Sequence, residues 1–209
     1  MLQLYFSPMA CSLASRIALM EAGIEARYHL VHLRSKRIAE RDADFWAISS
    51  KGAVPVLVLA DGERLSENAA VLQYIADLRP ELGLAPRQGE LDRYRLQEWL
   101  SFVGSELHKG FLFPTFWYGD DAAKAKMRER VERSLAVAAA HLEERANLVG
   151  ERFTVADAYL AWALMLMGRC DIEIARWPSL DAYLRRMLER PKLAAAVAIE
   201  RELRKTITF

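Results

Sequence analysis

The stretch LQLYFSPMACSLASRIALMEAG, residues 2–23, decides the fold of this 209-residue chain. Its first five side chains alternate in the period of two that predicts a β-strand over residues 2–6, and Ser7-Pro8 ends that strand. From Cys11 onward apolar side chains recur every three or four residues up to Gly23, which predicts a helix closed by a glycine signal. A strand followed by a turn and a helix begins a βαβ unit.

Four further segments extend this unit. Residues 27–33 predict a second strand, and residues 54–59 predict a third. The pair Asp61-Gly62 predicts a hairpin turn into a short return strand over residues 63–65, and a helix follows over residues 66–78. The expected order is therefore strand, helix, strand, a loop or short helix, strand, strand and helix.

The composition shifts after residue 80. Residues 81–89 contain proline and glycines and predict a linker, and the chain beyond it has only helical periodicity. Helices are predicted over residues 91–113, 122–146, 154–167, 179–188 and 192–203, with a capping box at Thr154-Val155-Ala156-Asp157. We expect a small α/β domain over residues 1–80, the linker, and an all-α domain over residues 90–209.

The charge balance limits the classes of partner. Lys and Arg total 29 against 28 Asp and Glu, so no electrostatic footprint for nucleic acid or for a membrane surface is expected. The longest apolar run, residues 158–167, is shorter than the about 20 residues that span a bilayer. The first residues lack the pattern of a secretory signal, so we expect a cytoplasmic protein.

Metal and hydrolytic chemistry have little support in the sequence. Two cysteines give neither a disulfide framework nor a Cys-rich zinc site, and His29 and His32 are a poor metal pair on a strand. No Gly-rich phosphate loop, nucleophile elbow or HExxH motif is present. We therefore expect no metal.

Cys11 and Ser12 stand at the start of the first predicted helix. The helix dipole and free backbone N–H groups there stabilise a thiolate, so Cys11 could be nucleophilic or could contact a thiol ligand. Alternatively, Cys11 is a small buried hydrophobic residue. Ser12 could donate to a sulfur anion bound at the helix start, or could only cap the helix.

Two other segments could hold a ligand that resembles a peptide. A cis Val54-Pro55 bond would present the Val54 backbone for strand-like pairing, whereas an ordinary trans proline would simply open a strand. At Ser66-Glu67-Asn68 the start of a helix favours a carboxylate, and the Glu67 side chain could meet an amino group. The helix start and the Glu67 side chain together suit the carboxylate and amino groups of an α-amino acid head. The alternative is that Glu67 only complements the helix dipole.

Five blocks of sequence, in this order, resemble the cytosolic glutathione transferases and most closely their bacterial beta class: residues 5–15, 51–57, 65–77, 106–110 and 150–160. The resemblance spans essentially the whole chain. It implies a thioredoxin-like N-terminal domain, an all-helical C-terminal domain, a homodimer, and glutathione as co-substrate.

The resemblance also implies roles for individual residues. Cys11 corresponds to the cysteine that contacts the glutathione sulfur and can form a mixed disulfide with it, with Ser12 alongside. His108 corresponds to a histidine that borders the site from the helical domain. These three are the expected catalytic residues.

The glutathione contacts follow from the same resemblance. They are Lys36 near the glycine carboxylate, Val54 with a cis Pro55 at the cysteinyl part, and Glu67 with Asn68 at the γ-glutamyl head. Two positions depart from the family pattern. Many relatives carry serine or glycine where this chain has Asn68, and at Ser101 they often carry an asparagine that helps to bind glutathione across the dimer.

The acceptor pocket is expected to involve Met9, Phe113 and Trp117, because aromatic and Met side chains suit small apolar electrophiles. The expected function is conjugation of the glutathione thiolate to such electrophiles. One alternative is a glutathione-dependent disulfide reductase that acts through Cys11. Another is a noncatalytic binding or regulatory protein with the same fold.

Overall fold

The computed structural model describes residues 1–117 and 120–207, and the chain forms two compact units. The first unit combines Met1–Leu84 with the C-terminal segment from Pro191, and the second is Ala85–Arg190. The first change of unit falls between Leu84 and Ala85, inside the expected linker, and the last helix packs against the first helix of the chain. The expected domain bounds stay a prediction.

The first unit is built on a six-stranded mixed sheet. Its strands are β1 (Leu2–Phe6), β2 (Ala26–His32), β3 (Arg37–Ile38), β4 (Ala43–Asp44), β5 (Val56–Val58) and β6 (Arg64–Ser66). They lie in the order β4-β3-β2-β1-β5-β6, with β1 parallel to β2 and antiparallel to β5. The remaining neighbours pair antiparallel.

Eight α-helices accompany the sheet in the described part of the chain. They are α1 (Ser12–Ala22), α2 (Asn68–Asp77), α3 (Leu91–Phe102), α4 (Phe113–Trp117), α5 (Asp121–Glu143), α6 (Val155–Met167), α7 (Pro178–Glu189) and α8 (Pro191–Lys205). In the first unit α1 packs against both α2 and α8. The predicted thioredoxin-like order of strands and helices is thereby confirmed.

Helix α1 ends where the sequence indicated. Gly23 adopts the left-handed conformation with φ of 64°, and its N–H donates to the Met20 carbonyl while Ile24 N–H donates to Leu19. Glycine takes this conformation without steric cost, so it closes the helix. Nearly every α1 side chain up to Leu19 is buried, which makes α1 the central helix of the unit.

The connection between β2 and β5 has more structure than the expected loop or short helix. Besides β3 and β4 it contains a 3-10 turn at Phe45–Ala47, begun by the Asp44 carboxylate, which accepts the Trp46 N–H at 2.9 Å. Phe45 is buried in a cluster with Tyr5, Val31 and Val54. This cluster anchors the loop before β5 to the face of the sheet.

The second unit is helical, with one irregular segment. Residues 91–113 were expected to form one α-helix, but Val103–Leu112 is a π-helical segment of ten residues between α3 and α4. A Cβ on Gly110 would lie 2.5 Å from the carbonyl oxygen of Ser105, five residues earlier, so the π-helical turn there needs a glycine.

Helix α6 begins at the predicted capping box. The Thr154 N–H donates to the Asp157 carboxylate at 2.8 Å, and all but one of the α6 side chains are buried. Across residues 1–117 and 120–207, no helix is both long and apolar enough to cross a bilayer.

Candidate active site

Cys11 is the residue before the first turn of α1 and is held by two other segments of the same unit. Its side chain is 6% exposed, and the thiol donates to the Val54 carbonyl oxygen at 3.2 Å. Its own carbonyl oxygen accepts the Asn68 side-chain amide at 3.1 Å as well as the Ala14 N–H at 3.1 Å. The start of α1, the loop before β5 and the start of α2 therefore converge on this cysteine.

Ser12 lies inside the turn that carries Cys11. Its hydroxyl accepts the Ser7 N–H at 3.2 Å and donates to the Ser7 carbonyl at 3.3 Å, and the residue is fully buried. A hydroxyl occupied at both ends in this way supports the Ser7–Cys11 turn. Ser12 thus has a supporting position in this turn, and its expected catalytic role stays a prediction.

Met9, in the middle of the same turn, is fixed by a buried ion pair that the sequence did not predict. Met9 has a φ of 63°, and its N–H donates to one carboxylate oxygen of Glu200 at 2.8 Å. The other oxygen accepts the Arg16 guanidinium at 2.9 Å, and both charged side chains are almost wholly buried. Burial raises the pKa of Glu200 to about 7, against the lowering effect of Arg16.

The segment before β5 has the geometry that the resemblance implied. The Val54–Pro55 peptide bond is cis, and both residues are buried. The Ser49 hydroxyl accepts the Ala53 N–H at 3.3 Å, which ties the residue before Val54 to the preceding turn. The Val54 carbonyl is thus presented to the Cys11 thiol.

Lys36 reaches this same segment. Its ammonium donates to the Gly52 carbonyl at 2.7 Å, and burial lowers its pKa. The Trp46 ring packs against Gly52, where an added Cβ would lie 2.5 Å from a ring carbon. A cation therefore stands beside the loop that carries Val54.

Glu67 precedes α2 in a left-handed conformation, with φ of 69°. Its carboxylate is 61% exposed and accepts the Lys51 ammonium at 2.8 Å. Its carbonyl oxygen accepts the N–H groups of Ala70 and Val71, so the side chain stands at the helix N-terminus. An exposed carboxylate that already accepts an ammonium group suits the amino end of a ligand.

The side chain of Asn68 is used inside the protein. Its amide oxygen accepts the Ser15 hydroxyl at 2.9 Å, and its amide nitrogen donates to the Cys11 carbonyl. With both ends of the amide paired and the residue 6% exposed, it is poorly suited to hold a γ-glutamyl head. The expected contact of Asn68 with the γ-glutamyl head therefore stays a prediction.

The other expected site residues belong to the second unit. His108 lies in the π-helical segment, with Nδ1 2.7 Å from the Tyr159 hydroxyl and its ring edge-on to Trp162 at 4.9 Å. Ser101 is exposed on α3. The Lys109 ammonium lies 4.7 Å from the centre of the Phe113 ring.

The Trp117 side chain lies outside the described residues, and Met9 belongs to the first unit. The roles of His108 and Ser101, and the acceptor pocket of Met9, Phe113 and Trp117, therefore stay predictions. Within the described ranges, no three His, Cys, Asp or Glu side chains are grouped so that they could hold a metal ion.

A thioredoxin-like sheet with a cysteine at a helix start, next to a cis-proline loop, defines a class of proteins that handle thiols. Within this class, the chain belongs with the proteins that join the thioredoxin-like unit to a helical second unit. Family models agree: that of the glutathione S-transferase N-terminal domain matches residues 8–78, and that of the C-terminal domain matches residues 98–191.

Individual relatives cover almost the whole chain. Glutathione S-transferase GstA of Escherichia coli O157:H7 is 36% identical over 200 residues, which covers 95% of this chain and 98% of GstA. A solved sphingomonad glutathione S-transferase complexed with glutathione is 43% identical, with a TM-score of 0.90, and covers 95% of this chain and 98% of its own.

The bacterial beta class glutathione S-transferase of Sphingomonas chungbukensis is 41% identical, with a TM-score of 0.90 and coverage of 95% and 98% of the two chains. The chain therefore belongs to the glutathione S-transferase family.

Proposed function

We propose that this glutathione transferase conjugates the thiolate of glutathione to small apolar electrophiles, with glutathione as co-substrate and without a metal. The observation that carries the proposal is the arrangement in one unit of three groups. They are the Cys11 thiol at the start of α1, the Val54 backbone beside it, and the Glu67 carboxylate at the start of α2. Relatives named as glutathione S-transferases over nearly the full length support the activity.

Each part of glutathione has a chemical match in this unit. The γ-glutamyl ammonium would replace the Lys51 ammonium on Glu67, and the neighbouring carboxylate would accept N–H groups at the start of α2. The cysteinyl backbone would pair with Val54, and the glycine carboxylate would meet Lys36. Each end of glutathione would thus meet a group of opposite charge, and its middle would pair with the protein backbone.

The chemical step makes a modest demand on the protein. Lowering the pKa of a bound thiol by ~2 units, worth ~2.7 kcal/mol, is enough to populate the thiolate near neutrality. The N-terminus of α1 favours that anion. The thiolate sulfur then forms a bond to the electrophilic carbon, and the leaving group departs with its bonding electron pair.

The position of Cys11 favours one second function, disulfide reduction. In that reaction the Cys11 thiolate attacks a glutathionylated substrate, forms a mixed disulfide with glutathione and releases the substrate thiolate. A second glutathione thiolate then attacks the mixed disulfide, regenerates Cys11 and leaves as oxidised glutathione. The observation in its favour is a thiol, not an aromatic hydroxyl, at the start of α1.

One pair of assays distinguishes conjugation from disulfide reduction. Conjugation is followed by absorbance with an activated aryl halide, and reduction is followed with a glutathionylated small thiol, for the wild type and Cys11→Ser. We expect the wild type to conjugate and Cys11→Ser to keep most of that activity. Failure of the wild type to conjugate at millimolar glutathione, with reduction that Cys11→Ser abolishes, would replace the proposal with the reductase.

We further propose a cytoplasmic homodimer with neither nucleic-acid nor membrane partners, as the family resemblance and the charge balance suggest. The chain mass is 23.8 kDa, so light scattering should give about twice this value. A mass that stays near that of one chain at micromolar concentration would contradict the dimer.

A further inference from the structure

Asn68 connects the beginnings of two helices. It is the first residue of α2, and its side chain reaches to α1, where the amide meets the Ser15 hydroxyl and the Cys11 carbonyl. All three residues are buried. A buried amide with both ends paired holds its partners in one arrangement, because breaking either contact leaves a polar group without water.

The contact at Cys11 holds the backbone that carries its thiol. The Cys11 carbonyl oxygen accepts both the Asn68 amide and the Ala14 N–H, so the peptide plane after Cys11 is held from two sides. The backbone of Cys11 is helical, with φ of −57° and ψ of −22°, and from this backbone the thiol reaches the Val54 carbonyl. A side chain shorter than asparagine at position 68 ends nearer its own backbone and would lose this contact.

The dipole of the Asn68 amide also favours a thiolate at Cys11. The Asn68 amide turns its N–H, the positive end of its dipole, toward the Cys11 peptide. A carboxylate of the same shape would place a negative charge there, in a buried position, and would oppose formation of a thiolate nearby. The amide is therefore the compatible group for a reactive cysteine.

We propose that Asn68 is a positioning residue for Cys11, which fixes the orientation of its thiol and favours its reactive form from the start of the helix that carries Glu67. The importance of this role for catalysis rests on the second function proposed above, disulfide reduction, in which the Cys11 thiolate is the nucleophile. The positioning itself does not, because it is a property of the protein without ligand.

The test is the rate of Cys11 alkylation by iodoacetamide, without glutathione, in the full-length protein. Peptide mass spectrometry separates Cys11 from Cys170, which is also buried. The variants are Asn68→Asp, which keeps the shape and reverses the electrostatics, and Asn68→Ser, which shortens the side chain. Ser15→Ala is the matched control, since it removes one hydrogen bond to Asn68 and leaves the contact to Cys11.

We expect Asn68→Asp to lower the alkylation rate about tenfold near neutral pH and to move its pH profile upward. Asn68→Ser should lower the rate about threefold or more, while Ser15→Ala stays within about twofold of the wild type. Urea unfolding identifies any variant that has not folded. If Asn68→Asp does not fold, the alkylation rate of Asn68→Ser alone tests the proposal.

Rates within about twofold of the wild type in folded Asn68 variants would overturn the proposal. An equal loss of rate in Ser15→Ala would also overturn it, because the effect would then follow packing and not the contact to Cys11. Glutathione takes no part in this measurement, so a failure of the proposed function appears separately in the conjugation assay.

Discussion

At the scale of single residues, the surroundings of Cys11 show how burial decides what a polar group can do. Ser12 and Asn68 have the right chemistry to contact glutathione, yet each is paired inside the first unit. Glu67 differs in exposure, because its carboxylate lies in solvent at a helix start, where it accepts the Lys51 ammonium. Burial therefore places Ser12 and Asn68 inside the unit and Glu67 at its surface.

The role of Ser12 predicts a loss of stability. In Ser12→Ala the buried Ser7 N–H loses its partner, so the free energy of unfolding should fall by about 1–3 kcal/mol. Urea denaturation measures this change, and Ser35→Ala on the exposed surface is the control, expected within about 0.5 kcal/mol of the wild type. A loss for Ser12→Ala as small as that of the control would contradict the supporting role.

At the scale of secondary-structure elements, the contact of α8 with α1 contains a buried group that titrates. The buried pair of Glu200 and Arg16 joins these helices, and Glu200 also holds the turn before α1 through the Met9 N–H. Arg16 is further held by the rings of Phe6 and Tyr28, at 4.4 and 3.8 Å from their centres. The C-terminal helix is thus part of the structure that fixes the position of Cys11.

This pair predicts a pH dependence of stability. Between the ordinary pKa of 4.5 and the native value of about 7, folded Glu200 holds a proton that the unfolded chain releases. The group's contribution is therefore fully present below pH 4.5 and is lost as pH rises through about 7. Relative to Glu200→Gln, the wild type should lose about 2–3 kcal/mol of unfolding free energy from about pH 5 to about pH 8.

Urea denaturation at both pH values tests this prediction. Glu202→Gln, an exposed position on the same helix, is the control and should show the wild-type pH dependence. If the difference between the wild type and Glu200→Gln does not change with pH, Glu200 does not titrate in this range and the prediction is wrong.

The π-helical segment predicts a second effect at this scale. In Gly110→Ala the new methyl group would meet the Ser105 carbonyl at 2.5 Å, so the backbone must shift at a cost of about 1–3 kcal/mol. Gly168→Ala is the matched control, because Gly168 has a right-handed conformation and no neighbour within 4 Å of the added Cβ. The control should stay within about 1 kcal/mol of the wild type.

Thermal or urea unfolding compares the two glycine variants. Equal stability of Gly110→Ala and Gly168→Ala would mean that the approach of the Ser105 carbonyl does not restrict the side chain at position 110. His108 lies in this segment, so the Gly110 variant also tests whether the segment's shape matters for conjugation.

At the scale of the whole molecule, local signals in the sequence predicted most of the fold. The strand over residues 2–6 and the glycine closure at Gly23 depend on neighbours within one turn of the chain, and both are confirmed. The two-residue strands β3 and β4 were missed because segments this short have no period to detect. The π-helical winding was missed because its apolar spacing resembles that of an α-helix.

The candidate site was less predictable than the fold. Cys11 and Glu67 could be predicted because each occupies a helix start, which is visible locally. The contact of Asn68 with Cys11 spans 57 positions of the chain, and that of Glu200 with Arg16 spans 184 positions. The periodicity of a sequence carries no information about contacts over such separations. The resemblance to a family supplied the cis Val54–Pro55 bond, since an isolated Val-Pro pair favours trans.

The most direct test of the central claim is a calorimetric titration of glutathione into the wild type, Glu67→Ala and Glu63→Ala. Glu63 is an exposed control in the hairpin before β6, four positions from Glu67. We expect the wild type to bind glutathione, Glu67→Ala to bind it at least about tenfold more weakly, and Glu63→Ala to match the wild type within about twofold. Equal affinity of Glu67→Ala and the wild type, or no binding by the wild type at millimolar glutathione, would contradict the assignment of the glutathione site to the first unit.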